Sequence, residues 1–74
     1  MDLRQLEILR AVAQTGSFTS AGQQLHLSQS AVSRQILLLE EELKEQLFLR
    51  LGRKIRITPA GTTLLGLSER MFAD

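Results

Sequence analysis

Ser28, Gln29, Ser30, Ser33 and Arg34 place three hydroxyls, an amide and a guanidinium within seven consecutive residues of the stretch SQSAVSRQI. All of these groups donate or accept hydrogen bonds, and none sits beside a base that would make it a nucleophile. The chemistry they suit is recognition of polar edges and anionic oxygens, not bond making. A second set lies further on: Arg50, Arg53, Lys54 and Arg56 crowd one short segment without an acid. Just before it, Glu40, Glu41, Glu42 and Glu45 crowd another with only Lys44 among them. The net charge of +1 conceals this separation, which implies a molecule with one basic and one acidic edge.

The materials for most other chemistry are missing. A chain of 74 residues is one domain at most, and a domain of that size buries only about 60% of its unfolded surface, too little to enclose a roomy active site. It has no cysteine for disulfides or thiolate ligands, and one histidine cannot form a metal cluster, so no metal or cofactor is expected. No glycine-rich loop offers to cradle a phosphate, and an enzyme reading fails on these counts. Met1-Asp2-Leu3-Arg4 lacks the layout of a signal peptide, and no apolar run approaches the roughly 20 residues that span a bilayer. The expectation is a soluble, cytoplasmic protein without a membrane partner.

The elements that must hold the polar stretch can be read from apolar spacing. Leu6, Leu9, Val12 and Ala13 predict an amphipathic helix from Leu3 to about Gln14. Gly16 suits its left-handed cap, and Ser17 or Thr19 can cap a short second helix over about 19–25. That helix carries the small pair Ala21-Gly22 and anchors itself through Leu25. After a turn at His26-Leu27, Ser28 stands where an N-cap belongs, and Val32, Ile36, Leu39 and Leu43 predict a third helix over 29–43. Leu47-Phe48-Leu49 and Lys54-Ile55-Arg56-Ile57 flank Gly52-Arg53, predicting a two-stranded hairpin. Thr58-Pro59 pairs an N-cap with a proline at the first helical position, opening a fourth helix that bears Leu64, Leu65, Leu67, Met71 and Phe72.

Two helices cross as a helix-turn-helix does when the crossing point is small, the turn is tight and apolar residues lock both arms. Ala21-Gly22, Leu25-His26-Leu27 and Val32 with Ile36 supply all three. His26 then serves turn geometry at a position that often needs positive φ. On the third helix, residues 29, 30, 33 and 34 share one face and 32, 36, 39 and 43 the opposite one, so reading and packing do not compete. The polar opening would enter a major groove, with Arg50, Arg53, Lys54 and Arg56 on a projecting wing that reaches the backbone or minor groove. Of these four, Arg50 is the one an internal carboxylate could claim. The acidic run needs no more than a solvated face, and it lies against the helix dipole at some cost.

The stretches LRQLEILRAVAQTGSFTSAGQQLHLSQSAVSRQI, LEEEL, QLFLR and ITPAG, in this order and spacing, resemble the N-terminal DNA-binding domain of LysR-type transcriptional regulators over essentially the whole chain. The resemblance implies a mainly α winged helix-turn-helix over 1–58, with a three-helix core and small wing, then the start of a linker and dimerisation helix over 59–74. It implies base contacts from Gln29, Ser33 and Arg34 with Ser30 close by, and minor-groove contact from Arg53. Phosphate contacts would come by the resemblance from Ser17, Thr19, Ser28 and Gln35, and the charge of the wing itself adds Arg50, Lys54 and Arg56. Two copies would pair through Leu64, Leu65, Leu67, Met71 and Phe72, and a small-molecule effector would bind a larger domain that this sequence does not contain, as in a chain cut at the DNA-binding domain.

Three positions depart from the family pattern. Ser30 stands where proline is frequent, Lys44 replaces the glycine that usually ends the recognition helix, and Leu37-Leu38 occupies places that are commonly basic. Fewer basic residues mean fewer phosphate contacts, each worth roughly 0.9 in the logarithmic salt slope. The rival reading is a protein-docking winged helix, since fold does not fix function. Arg34 and the basic wing argue against it, as does an aromatic content of three phenylalanines.

Overall fold

A computed structural model describes residues 1–73 and contains, in order, α1 (Leu3–Thr15), α2 (Phe18–Leu25), α3 (Gln29–Leu43), β1 (Phe48–Leu51), β2 (Lys54–Ile57) and α4 (Pro59–Phe72). The architecture is the expected winged helix-turn-helix with a fourth helix appended. The last expected residue of that helix, Asp74, lies outside the described residues.

Each helix begins on a side-chain cap. Asp2 accepts from the Gln5 backbone N–H while the Gln5 side chain accepts from Asp2 N–H, a reciprocal box that satisfies two orphan donors. Ser17, not Thr19, caps α2 by accepting from Ser20 N–H, so that helix starts one residue earlier than its apolar spacing suggested. Ser28 caps α3 through Ala31 N–H, and Thr58 caps α4 through Gly61 N–H with Pro59 at the first turn. At the other ends, Gly16, His26 and Lys44 all adopt left-handed backbone, with φ of 70°, 60° and 57°. Glycine does this freely, whereas His26 and Lys44 carry a Cβ into the region and store strain there.

The core gathers Leu6, Ile8, Leu9 and Val12 of α1 with Ala21, Val32, Ile36, Leu39, Leu47 and Phe48. Leu25 and Leu43, expected as anchors, are half-buried at its margin. The helix-turn-helix crossing depends on Gly22: a Cβ there would lie 2.5 Å from the Leu27 carbonyl oxygen. No larger residue fits without moving backbone.

The wing is an antiparallel pair with Leu51 opposite Lys54 and Phe48 opposite Ile57. Its first strand starts at Phe48; Leu47 lies ahead of it as a fully buried plug. Gly52, at φ 64°, precedes Arg53 in the two-residue turn, the type II′ arrangement that matches strand twist. The wing's root is fixed twice. Glu40 Oε2 accepts from the N–H groups of Leu47 and Phe48 at 2.8 and 3.3 Å, and Thr58 Oγ1 donates to the Gln46 carbonyl at 2.6 Å. Part of the acidic run is therefore structural rather than a solvated face.

Among the described residues, no helix is long and apolar enough to cross a membrane.

Candidate nucleic-acid interface

The first turn of α3 projects its polar groups as the spacing implied. Ser28, Gln29, Ser30 and Arg34 are exposed, whereas Val32, Ile36 and Leu39 on the opposite side are buried. Neither α2 nor α3 carries an acid in its first turn, so both N-termini keep the partial positive charge that attracts anionic oxygens. Ser28 Oγ lies 3.2 Å from Ser30 Oγ, joining the cap to the hydroxyl that stands in the usual place of proline.

Recognition helix, wing and the start of α2 open onto one cleft. Ser17, Thr19, Gln29, Arg50, Gly52 and Arg53 line it, with a volume of about 240 Å³. The structure thus brings together residues taken from three separate segments of the sequence. Arg34, Arg53, Lys54 and Arg56 are exposed and enter no ion pair among the described residues. In the wing the outer face pairs Lys54 with Leu51 and Arg56 with Leu49, while Ile55 and Ile57 are half-buried.

Arg50 does not share that outer face, and no carboxylate among the described residues pairs with it. Its strand position turns it toward α2 and α3 while leaving it exposed; there the guanidinium carbon lies 4.6 Å from the centroid of Phe18 and Nη2 donates to Ser33 Oγ at 2.8 Å. Phe18 in turn meets Phe48 edge to face at 6.1 Å and 78°. Gln35 is also held internally: it is half-buried and its Oε1 accepts from Gln5 Nε2 at 3.1 Å, leaving its NH₂ for other partners.

Two structural roles around the site were not read from sequence. Gln5 links the α1 cap to α3, a role signalled by the Asp2-to-Gln5 spacing of a capping box. Glu40 sets where the wing begins, and no local pattern marks a carboxylate that holds the N–H groups seven and eight residues ahead, where the strand starts.

On α4, the residues expected at a dimer interface divide. Leu64 is only 8% exposed and belongs to this domain's own core. Phe72 is half-buried beneath Arg10, whose guanidinium carbon lies 4.9 Å from the ring centroid, and Leu65 is half-buried as well. Leu67 and Met71 remain 46% and 56% exposed, and with Met1, Leu6, Leu64 and Arg70 they line an apolar cleft of about 340 Å³.

Comparison with known proteins fits this geometry. The family described as "Bacterial regulatory helix-turn-helix protein, lysR family" matches residues 3–62, and the chain belongs to that family. It carries the family's DNA-binding domain.

The chain is 51% identical over 73 residues to an HTH-type transcriptional regulator from the ibpB-leuC intergenic region of Azotobacter vinelandii, covering 99% of this chain and 51% of that protein. It is 49% identical over 69 residues to the RuBisCO operon transcriptional regulator of Allochromatium vinosum, covering 93% of this chain and 23% of the relative. The chain thus spans about half the length of the first relative and about a quarter of the second. Among solved structures, BenM_DBD in complex with benA site 1 DNA superposes with a TM-score of 0.93 at 38% identity, covering 99% of this chain and 82% of that one. CbnR_DBD in complex with DNA gives 0.91 at 38% identity over 96% and 82%.

Proposed function

We propose that this chain reads an operator in double-stranded DNA for a bacterial transcriptional regulator. The first turn of α3 enters the major groove, where Gln29, Ser33 and Arg34 meet base edges with Ser30 beside them. Arg53 at the wing tip probes the minor groove. Ser17, Thr19, Ser28 and the free NH₂ of Gln35 take phosphate oxygens, together with Lys54 and Arg56. The observation that carries this reading is the one cleft shared by Gln29 of α3, Arg53 of the wing and the N-terminal turn of α2, lined by the two cationic side chains Arg50 and Arg53 and by no acid. The relatives crystallised with DNA support it.

The active unit in this reading is a symmetric homodimer on an interrupted palindrome, working in the cytoplasm. Leu67 and Met71, exposed beside Met1, give α4 an apolar surface for pairing, with Leu65 and Phe72 at its edge. In the full-length regulator, a further domain binds a small-molecule effector and controls the DNA-bound form. No chemical transformation is assigned to the chain.

Selection from random duplexes, followed by sequencing of the bound fraction and anisotropy at two salt concentrations, tests the reading. The expected product is a two-fold motif whose half-sites lie about one helical turn apart, roughly 34–36 Å, or a multiple of it. Weak binding with no enriched sequence would overturn it.

A further inference from the structure

We infer that Arg50 is a positioning residue that makes Ser33 a hydrogen-bond donor toward DNA, so that Ser33 selects a base edge carrying an acceptor. The inference rests on the major-groove reading proposed above and assigns Arg50 a different role from the backbone contact expected of it as one of the wing's four basic residues.

A serine hydroxyl has one proton and two lone pairs, and by rotation it can serve as donor or acceptor. A guanidinium can only donate. With Arg50 Nη2 at 2.8 Å, one lone pair of Ser33 is occupied, so the hydroxyl proton points away from Arg50 and only one lone pair is left to accept, which biases the group toward donating. Thr15, Thr63 and Ser68 donate their hydroxyls to the carbonyls of Ala11, Pro59 and Leu65 within their own helices. Ser33 makes no such bond among the described residues, so its proton is available on the face it shares with Gln29, Ser30 and Arg34. Donation from a charged group also polarises the O–H and strengthens it as a donor.

The arginine is itself held. Its guanidinium carbon lies 4.6 Å from the Phe18 ring centroid, within reach of cation–π attraction, and Phe18 is buried and braced by Phe48. In this way, a residue of the wing biases a hydroxyl on the recognition helix toward donating. Guanine N7 and O6, adenine N7 and thymine O4 satisfy an outward O–H, whereas the cytosine amino group does not.

The test compares wild type, Arg50→Ala, Ser33→Ala and the double variant on the selected operator and on operators changed at each base pair, with thermal unfolding as a control for folding. Arg50→Ala should reduce discrimination at one base pair by about 3- to 10-fold, the worth of one hydrogen bond. The double variant should lose no more there, other base pairs should keep their discrimination, and the salt slope should hold. A measurement on wild type alone covers an unfolded variant: an analogue lacking the major-groove acceptor at that base should cost the same factor. A loss uniform across sequences, with the slope lowered by about 0.9, would place Arg50 on a phosphate and overturn the inference. Unchanged discrimination at every base pair, or full tolerance of the analogues, would overturn it too. A wild type with no preferred sequence would overturn the major-groove reading first and this inference with it.

Discussion

Glu40 on the recognition helix and Leu47 at the root of the wing are joined by a hydrogen bond of 2.8 Å from the Leu47 N–H to the Glu40 carboxylate. The same oxygen accepts from Phe48 N–H, and Leu47 is fully buried. One acid of a run otherwise facing solvent therefore determines where the chain leaves the helix and enters the wing.

Removal of that carboxylate should loosen the wing from the core. Glu40→Ala leaves two partly buried N–H groups without their acceptor and should cost about 1–3 kcal/mol in urea unfolding. Glu40→Gln retains one carbonyl acceptor and should cost less. Equal stability of Glu40→Ala and wild type would show that water replaces the carboxylate fully.

Two glycines of α4 should respond oppositely to alanine. A Cβ on Gly61 would lie 2.4 Å from the Leu47 carbonyl oxygen and 2.7 Å from Ile57 Cγ1, so Gly61→Ala forces backbone to move and should destabilise clearly. Gly66 has open space around it in the same helix, and Gly66→Ala should add about 0.5–1 kcal/mol by helix propensity. Thermal unfolding of the two variants checks the contrast.

Lys44 holds left-handed backbone at φ 57°, where a side chain is strained. Lys44→Gly should relieve that strain and raise stability by about 1 kcal/mol, reduced by the greater freedom glycine gives the unfolded chain. No gain in chemical denaturation would mean that the lysine side chain contributes as much as its backbone strain costs.

Much of this arrangement was legible in the residues, and the rest was not for physical reasons. The bounds of α3 follow from Ser28 and the Val32, Ile36, Leu39 and Leu43 spacing, because capping and apolar periodicity are local. Gly22 and His26 announced a tight crossing for the same reason. Strand register decides which way Arg50 faces, and its partners lie 17 and 32 positions away at Ser33 and Phe18, so grouping it with Arg53, Lys54 and Arg56 missed its turn toward α2 and α3. Apolar spacing showed that α4 has a hydrophobic side. It could not show that Leu64 is taken by the domain's own core while Leu67 and Met71 stay outside.

Lys54 is exposed beside Leu51 at the end of the wing, without an ionic partner among the described residues. Lys54→Ala should weaken specific and random duplexes alike and lower the logarithmic salt slope by about 1, as anisotropy titrations over several salt concentrations would record. A loss confined to one sequence would assign Lys54 to a base instead.

The most direct measurement is the ratio of affinities for the selected operator and random duplex, taken for wild type and Arg34→Ala at matched salt. Arg34 is exposed on the polar face of α3 and enters no ion pair among the described residues, so its truncation leaves the core intact. The account predicts a loss of about 1–3 kcal/mol on the operator, a smaller loss on random DNA and relaxed preference at one base pair. An unchanged ratio would contradict the claim that the first turns of α3 read sequence.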